Sequence, residues 1–277
     1  MAYNDLRDWI NALHKAGELK RITAEVDPIL EMAEIADRTS KLSRGTPKAG
    51  GPALLFENVK GHPGAKVLMN QFGSDRRMKL ALEADSLNDI ANRIRTLIHP
   101  ETPTSLMDKL KLLPKLAEVG SFFPRTIPAK EAPCKQVVRH GAEVNLLELP
   151  ILKTWPQDGG RFITLPCVIT RDPKSGKRNV GMYRMQVYDG QTTGMHWQRQ
   201  KVAAEHLRER LRATTGDRSG NVDLMAITAG GTTAVSSLET LNTTTLTRIR
   251  EDRMEVAVAI GTDPATTFSA IVPAPPT

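Results

Sequence analysis

The spacing of hydrophobic residues predicts that the chain begins with an α-helix. Leu6, Trp9, Ile10 and Leu13 recur at i, i+3, i+4 and i+7, the spacing of one buried face of a helix. Gly17 follows at a position where helices commonly stop. The first segment should therefore pack against a core as an amphipathic helix.

The next residues predict a strand and a second helix. Residues 18–26 alternate apolar and polar positions, as a half-buried strand does. In residues 26–38 the apolar positions return to helical spacing, with Asp27 as the expected N-cap and Pro28 as the first helical residue. The helix is thus predicted to start directly after the strand.

Strands and helices continue to alternate through the first half of the chain. The predicted elements are strands at 52–59 and 65–72, a helix capped by Ser74, a helix that begins after Asp85 or Ser86, and a helix within 104–120. Residues 1–120 are therefore predicted to form an N-terminal mixed α/β domain.

The second half of the chain is richer in strands. A proline-rich stretch at 121–134 predicts a linker. The strand-like runs beyond it are 135–140, 161–172, 179–190, 192–198, 222–231 and 253–261. The turn sequences DPKSGK and DGQT are expected to join the runs between 161 and 198 into an antiparallel meander, which is typical of a barrel or a sandwich. Residues 121–277 are predicted to be this second domain.

Two helices are expected among these strands. One covers 201–212, and a short one has Asp263 as N-cap and Pro264 as its first residue. The threonine-rich segment 236–252 has no clear pattern. Because the strands are too few to close a barrel and the chain stops after the sequence VPAPPT, we expect a fragment of a longer protein.

The composition favours a folded protein in the cytoplasm. The chain has 277 residues, of which 40% are hydrophobic and 25% charged, enough for a packed core. It has no apolar run long enough to span a membrane, and its start lacks the basic and apolar regions of a secretory signal. Cys134 and Cys167 are far apart and predict neither a disulfide nor a metal site.

The positive charge of the chain restricts its partners only loosely. A net charge of +7 is compatible with phosphate-bearing ligands, anionic membrane surfaces or nucleic acid. The basic residues are scattered, and between 205 and 218 they are interleaved with acids. Aromatic residues make up only 4%, which leaves few platforms for stacking bases. A nucleic-acid-binding protein is therefore the least favoured hypothesis.

The segment 178–201 carries more polar and cationic side chains than a hairpin needs. They are Asn179, Tyr183, Arg184, Gln186, His196, Trp197, Gln198, Arg199 and Lys201. An amide oxygen suits a hard cation, a guanidinium matches a carboxylate or phosphate, and an indole offers a flat apolar face. Cationic residues near a helix start favour phosphate. Together these groups suit a phosphate-bearing aromatic cofactor, with a divalent metal bridging its phosphate.

Each of these residues also has a structural explanation. Asn179 suits a turn, Arg184 a surface ion pair, His196 a satisfied histidine and Trp197 a core position. Only their density in one hairpin favours a site. Asn179 and Arg184 are five residues apart, which puts them on opposite faces of a regular strand. Both reach one ligand only if the chain bulges near Gly181 or the regular strand starts after Asn179.

Four stretches resemble the UbiD family of decarboxylases, the 3-octaprenyl-4-hydroxybenzoate carboxy-lyase type and its menaquinone-pathway relatives. They are DLRDWINALHKAGELKRITAEVDPILEMAEIADR, GPALLFENVKG, LPILKTWPQDGGRFITLPCVITRDPKSGKRNVGMYRMQVYDGQTTGMHWQ and MEVAVAIGTDPATTFSAIVPAPP. They cover most of the chain in family order. The Asn-x-Gly-x-Tyr-Arg and His-Trp pieces are the most specific parts of the match.

The resemblance implies a fold, a cofactor and residue roles. The fold is α+β, with the N-terminal domain followed by an incomplete split β-barrel resembling flavin reductases. The cofactor is prenylated FMN, made by a separate flavin prenyltransferase, with manganese and often potassium at its phosphate. Arg184 is the implied catalytic residue, which orients the substrate carboxylate. The implied metal ligands are Asn179 and His196, although members differ at the histidine. The implied cofactor-binding residues are Met182, Tyr183, Arg184, His196, Trp197, Gln198 and Lys201.

The resemblance also implies an activity and its partners. The reaction is non-oxidative decarboxylation of an aromatic or unsaturated acid, with polyprenyl-4-hydroxybenzoate of ubiquinone or menaquinone biosynthesis as the expected substrate. Full-length members form homo-oligomers, and a lipid-tailed substrate would draw the enzyme to the inner membrane surface. The family's glutamate metal ligand and proton-donating acid have no counterpart in this chain, and Gln200 and Val202 depart from the family pattern. An inactive fragment or a non-catalytic flavin-binding module is the alternative.

Overall fold

The computed structural model describes residues 3–42, 49–98, 126–215 and 253–272. The chain divides into two compact units, the larger formed by Met1–Ala81 with Leu146–Thr277 and the smaller by Leu82–Asn145. The predicted boundary between residues 120 and 121 falls outside the described residues, so it stays a prediction.

The first part of the larger unit is a three-stranded sheet with helices. Its elements are α1 (Leu6–Lys15), β1 (Leu19–Val26), α2 (Glu31–Ser40), β2 (Ala53–Val59), β3 (Val67–Met69) and α3 (Asp75–Ala81). Strand β2 is central, parallel to β1 and antiparallel to β3. The elements predicted here are confirmed, as is the cap of α3, where Ser74 Oγ accepts the Arg77 N–H at 3.2 Å.

Burial of the predicted apolar faces holds this part together. Trp9 and Leu13 of α1 are fully buried, as the helical spacing predicts. Phe56 of β2 packs with Met32 of α2 in a second cluster. Asp5 caps α1 by accepting two backbone N–H groups of its first turn. The N-terminus of helix α1 is therefore capped, and its inner face is buried.

Helix α2 begins later than the predicted start at Pro28. Asp27 does not cap it, because its Oδ1 accepts the N–H of Ile29 at 2.8 Å and closes a turn instead. The Leu30 N–H donates to the Lys153 carbonyl at 2.9 Å, and Ile29 forms a parallel bridge with Lys153. Leu30 takes φ 72° and ψ −43°, a γ-turn conformation that is uncommon outside glycine. A pairing distant in sequence therefore delays the helix.

Where the structure describes it, the second part of the larger unit contains two three-stranded sheets. Its elements are β4 (Arg161–Ile163), β5 (Cys167–Arg171), β6 (Arg178–Met182), β7 (Met185–Val187), β8 (Thr193–Met195), α5 (Val202–Thr215), β9 (Ala257–Ala259) and α6 (Pro264–Ser269). One sheet has the order β4-β7-β8 and the other β6-β5-β9, with all neighbours antiparallel. The predicted cap of α6 is confirmed, since Asp263 accepts two N–H groups of its first turn.

The predicted meander is wrong at one connection. DPKSGK joins β5 to β6 and DGQT joins β7 to β8 as expected, but β6 and β7 belong to different sheets. The run 161–172 divides near Pro166, which has no N–H for a ladder. The run 179–190 divides at Tyr183 and Arg184. Each predicted long strand is therefore two short strands.

In its described residues, 82–98 and 126–145, the smaller unit contains α4 (Leu87–Ile98) and three 3₁₀ turns, at Ala129–Glu131, Pro133–Lys135 and Gly141–Glu143. Helix α4 begins directly after Ser86, as predicted. The predicted strand at 135–140 is wrong, because this segment belongs to no sheet and Val137 is largely exposed. The predicted helix at 104–120 and strand at 222–231 lie outside the described residues.

The mixed α/β architecture is confirmed. The strands that the structure describes form small sheets that do not close into a barrel, so the split barrel stays a prediction. Within the described ranges, no helix is both long and apolar enough to cross a membrane.

Candidate functional site

The connection between β6 and β7 organises the residues predicted to form the site. After Met182 the chain leaves one sheet, and the Met182 N–H donates to the Ala270 carbonyl at 3.0 Å. The chain then enters the other sheet at Met185. The irregularity that the odd spacing of Asn179 and Arg184 requires is therefore present, but not at either predicted position.

Tyr183 is part of the core. Its ring folds over Gly181, where a Cβ would lie 2.4 Å from the tyrosine oxygen, so a side chain has no room there. The hydroxyl oxygen accepts the Ala203 N–H at 3.4 Å, at the start of α5. Burial raises the pKa of Tyr183, which remains a neutral phenol. Tyr183 thus ties the sheet connection to α5.

Trp197 packs against this core with one polar atom unsatisfied. Its ring meets the ring of Tyr183 edge-on, with centroids 6.1 Å apart. The indole N–H is buried and has no hydrogen-bond partner among the described residues. A buried donor without an acceptor is costly. An acceptor supplied by a ligand would remove that cost, which fits the predicted role of Trp197 in cofactor binding.

Arg184 is anchored on two sides. Its Nη2 donates to Thr154 Oγ1 and to Asp158 Oδ2, both at 3.1 Å. The guanidinium carbon lies 3.8 Å from the centroid of the Phe162 ring, a stacking that stabilises the cation. The side chain remains 41% exposed. The arginine is thus held in place and is still accessible.

The loop that holds Arg184 is itself tightly bonded. Asp158 Oδ2 accepts Thr154 Oγ1–H at 2.8 Å and the Trp155 N–H at 3.1 Å. These bonds, that of Thr154 first and that of Arg184 next, hold the pKa of Asp158 below its ordinary 3.8. Their stabilisation is therefore complete at neutral pH and is lost only as the pH falls through the lowered pKa.

Asn179 lies beside a buried contact between Thr170 and His206. It pairs with Thr170 across β5 and β6, which puts both side chains on one face of the sheet. Thr170 Oγ1 and His206 Nδ1 of α5 are 2.9 Å apart, and both residues are buried. Asn179 is half-buried at the edge of this packed face.

Of the remaining predicted residues, Met182 is half-buried and His196, Gln198 and Lys201 are exposed, and no described contact joins any of them to Asn179. His196 donates its backbone N–H to the Arg184 carbonyl at 3.5 Å, and the Lys201 N–H donates to the Gln198 carbonyl at 3.0 Å. Their side chains face solvent. The described ranges contain no cluster of three His, Cys, Asp or Glu residues able to hold a metal ion.

A cleft opens on the loop that holds Arg184. Its volume is about 630 Å³, within the range of small-molecule sites. Its apolar lining consists of Leu30, Ala33, Met69, Trp155 and Pro156. Thr154, which bonds Arg184, also lines it. Trp155 is 59% exposed and presents a large ring at the cleft.

Two of the three acidic residues of the cleft have a cationic partner. Glu34 bonds Arg38 at 2.6 Å, and Asp37 bonds Lys41 just after the helix. Glu31 accepts the Asp27 N–H at 2.8 Å and keeps its negative charge. The cleft therefore combines apolar surface with the charge of Glu31.

The loop that supports Arg184 was not predicted from the sequence. Among the described residues, the Arg184 side chain contacts Thr154, Asp158 and Phe162. A Thr-x-x-x-Asp-Gly-Gly stretch before a strand was a signal of a bonded turn. Nothing local to that stretch indicates which cation it meets.

The sequence and the fold define the class of protein. Residues 10–94 match the 3-octaprenyl-4-hydroxybenzoate carboxy-lyase N-terminal domain, and residues 125–238 match the Rift-related domain of the same name. The chain belongs to the UbiD family.

The similarity to other proteins extends over most of the chain. An uncharacterized protein of Archaeoglobus fulgidus is 46% identical over 275 residues, which are 99% of this chain and 47% of that protein. Vanillic acid decarboxylase of Sedimentibacter hydroxybenzoicus, in closed form, matches with TM-score 0.67 and 25% identity, over 98% of this chain and 45% of that one. The UbiD-class enzyme HmfF of Pelotomaculum thermopropionicum, in complex with FMN, matches with TM-score 0.59 and 25% identity, over 76% and 40%. The chain spans less than half the length of these relatives.

Proposed function

We propose that this protein serves the non-oxidative decarboxylation of an aromatic or unsaturated carboxylic acid with prenylated FMN. The observation that carries the proposal is Arg184, a stacked and anchored guanidinium with accessible donors, in a chain of the UbiD family. A planar guanidinium binds a carboxylate bidentately. Arg184 would hold the acid so that its scissile bond stays in a fixed orientation.

The cofactor proposal is supported by the unsatisfied indole of Trp197 and by the relatives. HmfF of Pelotomaculum thermopropionicum has been solved with FMN and, in an evolved dimeric form, with prFMN. Bound here, prenylated FMN would supply the electron sink that decarboxylation needs. Trp197 would donate to it, and Lys201 would contact its phosphate near the start of α5.

Asn179 is the proposed protein ligand of manganese, with His196 as a second ligand and potassium nearby. One amide oxygen binds a divalent ion weakly. The part of the chain that is described has no acidic cluster that could supply further ligands. Divalent ions in such sites take further oxygens from substrate or cofactor phosphates. The metal is therefore expected to bind only together with the flavin.

Co-expression with a flavin prenyltransferase tests the cofactor proposal. The purified protein should carry a flavin absorbance and about one manganese per flavin. Asn179→Ala should lose the manganese and weaken flavin retention, because Asn179 would help to hold the metal that offsets the charge of the flavin phosphate. Asn58→Ala, on an exposed position of β2, is the control and should retain both. A folded, colourless wild-type protein without metal would contradict the proposal and favour an inactive fragment over a flavin-binding module.

The expected substrate is a polyprenyl-4-hydroxybenzoate of ubiquinone or menaquinone biosynthesis. The apolar cleft supports it, since a prenyl tail extending past Thr154 would meet Trp155 and Met69. A lipid-tailed substrate would also draw the protein to the inner membrane surface, and homo-oligomers are expected, as in the dimeric HmfF form.

The substitution Trp155→Ser tests whether the cleft binds the prenyl tail independently of the carboxylate. Affinity for a prenylated 4-hydroxybenzoate should fall roughly tenfold, equivalent to the burial of one or two CH₂ groups at about 0.8 kcal/mol each. Affinity for unprenylated 4-hydroxybenzoate should not change, which makes it the internal control. Equal losses for both acids, measured by calorimetry, would exclude the cleft as a tail site.

A further inference from the structure

The Arg184 guanidinium is fixed through a single nitrogen. Both of its hydrogen bonds, to Thr154 Oγ1 and Asp158 Oδ2, leave from Nη2. Its Nε and Nη1 have no partner among the residues that the structure describes. One face is covered by Phe162 at 3.8 Å. The anchoring therefore restricts the plane of the group and leaves the Nη1 and Nε donors, which point in different directions, open to a ligand.

Asp158 is a rigid anchor, because its acceptor oxygen is bonded from its own loop. Thr154 Oγ1–H and the Trp155 N–H converge on the Oδ2 that also accepts from Arg184. The Asp158 N–H donates back to the Trp155 carbonyl at 3.1 Å, which closes the turn. The carboxylate is only 14% exposed, so water competes little for it.

The turn is also joined to the strand that follows the arginine. Gln186 Nε2 donates to the Gly159 carbonyl at 2.9 Å, and Gln186 pairs with Phe162 between β4 and β7. A Cβ at Gly159 would lie 3.0 Å from that Gln186 nitrogen, so the approach is close. The turn, the stacking ring and Arg184 thus belong to one hydrogen-bonded unit.

We propose that Asp158 and Thr154 are positioning residues that hold the Arg184 guanidinium in one orientation, with its Nη1 and Nε donors available to a substrate carboxylate. The inference rests on the proposed function for the identity of that carboxylate. Preorganisation matters because an arginine otherwise loses much rotamer freedom when it binds. Asp158 also repels an incoming carboxylate, and the two effects act in opposite directions on affinity.

The substitutions Asp158→Asn and Asp158→Ala separate the positioning of Arg184 from the repulsion of the substrate carboxylate. Asp158→Asn retains an acceptor oxygen for Arg184 and loses the charge, whereas Asp158→Ala loses both. If positioning dominates, Asp158→Ala should weaken binding of 4-hydroxybenzoate about tenfold or more, and Asp158→Asn should stay within about threefold of wild type. Thr154→Ser should behave as wild type, and Thr154→Val should show part of the alanine effect. Asp189→Ala, another aspartate that caps a turn, is the control.

A second readout needs neither substrate nor cofactor. The ¹⁵N–¹H signal of Arg184 Nε, assigned with Arg184→Lys, should show a rigid side chain in wild type and in Asp158→Asn, and a mobile one in Asp158→Ala. An unchanged signal in Asp158→Ala would overturn the proposal, and so would equally tightened binding in both Asp158 variants. A rigid Arg184 that binds no aromatic acid would refute the proposed function and leave the positioning role standing.

Discussion

Arg184→Gln is expected to lower kcat/KM for decarboxylation by about 10²-fold or more. Removal of one preorganised donor from an active site typically has an effect of this size, and the substitution removes the charge and the fixed Nη1 and Nε donors together. Arg184→Lys should not restore the activity, because an ammonium is a point charge that cannot donate in the fixed directions of a guanidinium or stack on Phe162 in the same way.

The neighbouring arginine on β6 gives a matched control. Arg178 is exposed and lies on the same segment, so Arg178→Gln changes the net charge equally without altering the anchored group. The activity should be followed as CO₂ release by the prenylated-FMN-loaded protein. Equal losses in Arg178→Gln and Arg184→Gln would show that overall charge, and not the guanidinium of Arg184, determines binding of the acid.

Local patterns were sufficient for most of the helices and strands. The spacing of Trp9 and Leu13 predicts the buried face of α1, and the Asp263–Pro264 pair predicts the start of α6. In each case the signal and the structure that it determines lie within a few residues of one another, so spacing alone identifies them.

Where a prediction from local patterns was wrong, a contact with a residue distant in sequence determines the structure. Asp27 and Pro28 have the chemistry of a helix start, but pairing of Ile29 with Lys153 takes precedence. The run through Tyr183 has strand-like composition, yet the tyrosine turns back over Gly181 to reach the backbone of α5. Composition does not encode such partners.

In the candidate site, too, local features were predicted from the sequence and long-range contacts were not. Density of polar groups indicated the segment that contains Arg184, and chemistry indicated a carboxylate or phosphate ligand. The anchor at Asp158 could not be identified, because its own loop explains its presence equally well. For Asn179, His196 and Lys201, the roles taken from family resemblance stay predictions, since no described contact brings them together.

Arg77→Leu is expected to destabilise the fold strongly. Arg77 is 0% exposed, and its Nη1 donates to Glu18 at 3.0 Å and to the Gly51 carbonyl at 2.5 Å. Its Nη2 adds a bond to the Gly50 carbonyl at 3.3 Å. Burial lowers the pKa of this guanidinium and the bonded Glu18 carboxylate opposes that shift, so the arginine stays charged. One side chain thus ties α3 to the turn before β2.

Removing one partner of a buried ion pair typically costs about 3–5 kcal/mol, because the other partner and its acceptors stay desolvated. Urea unfolding should show a loss of this size for Arg77→Leu. Arg76 provides the control, since it bonds the same glutamate at 3.2 Å from a side chain that is 65% exposed. Arg76→Ala should cost less than about 1 kcal/mol. Similar losses for the two variants would mean that Arg77 contributes no more than a surface ion pair, and that packing around Trp9 and Phe56 holds this part of the fold.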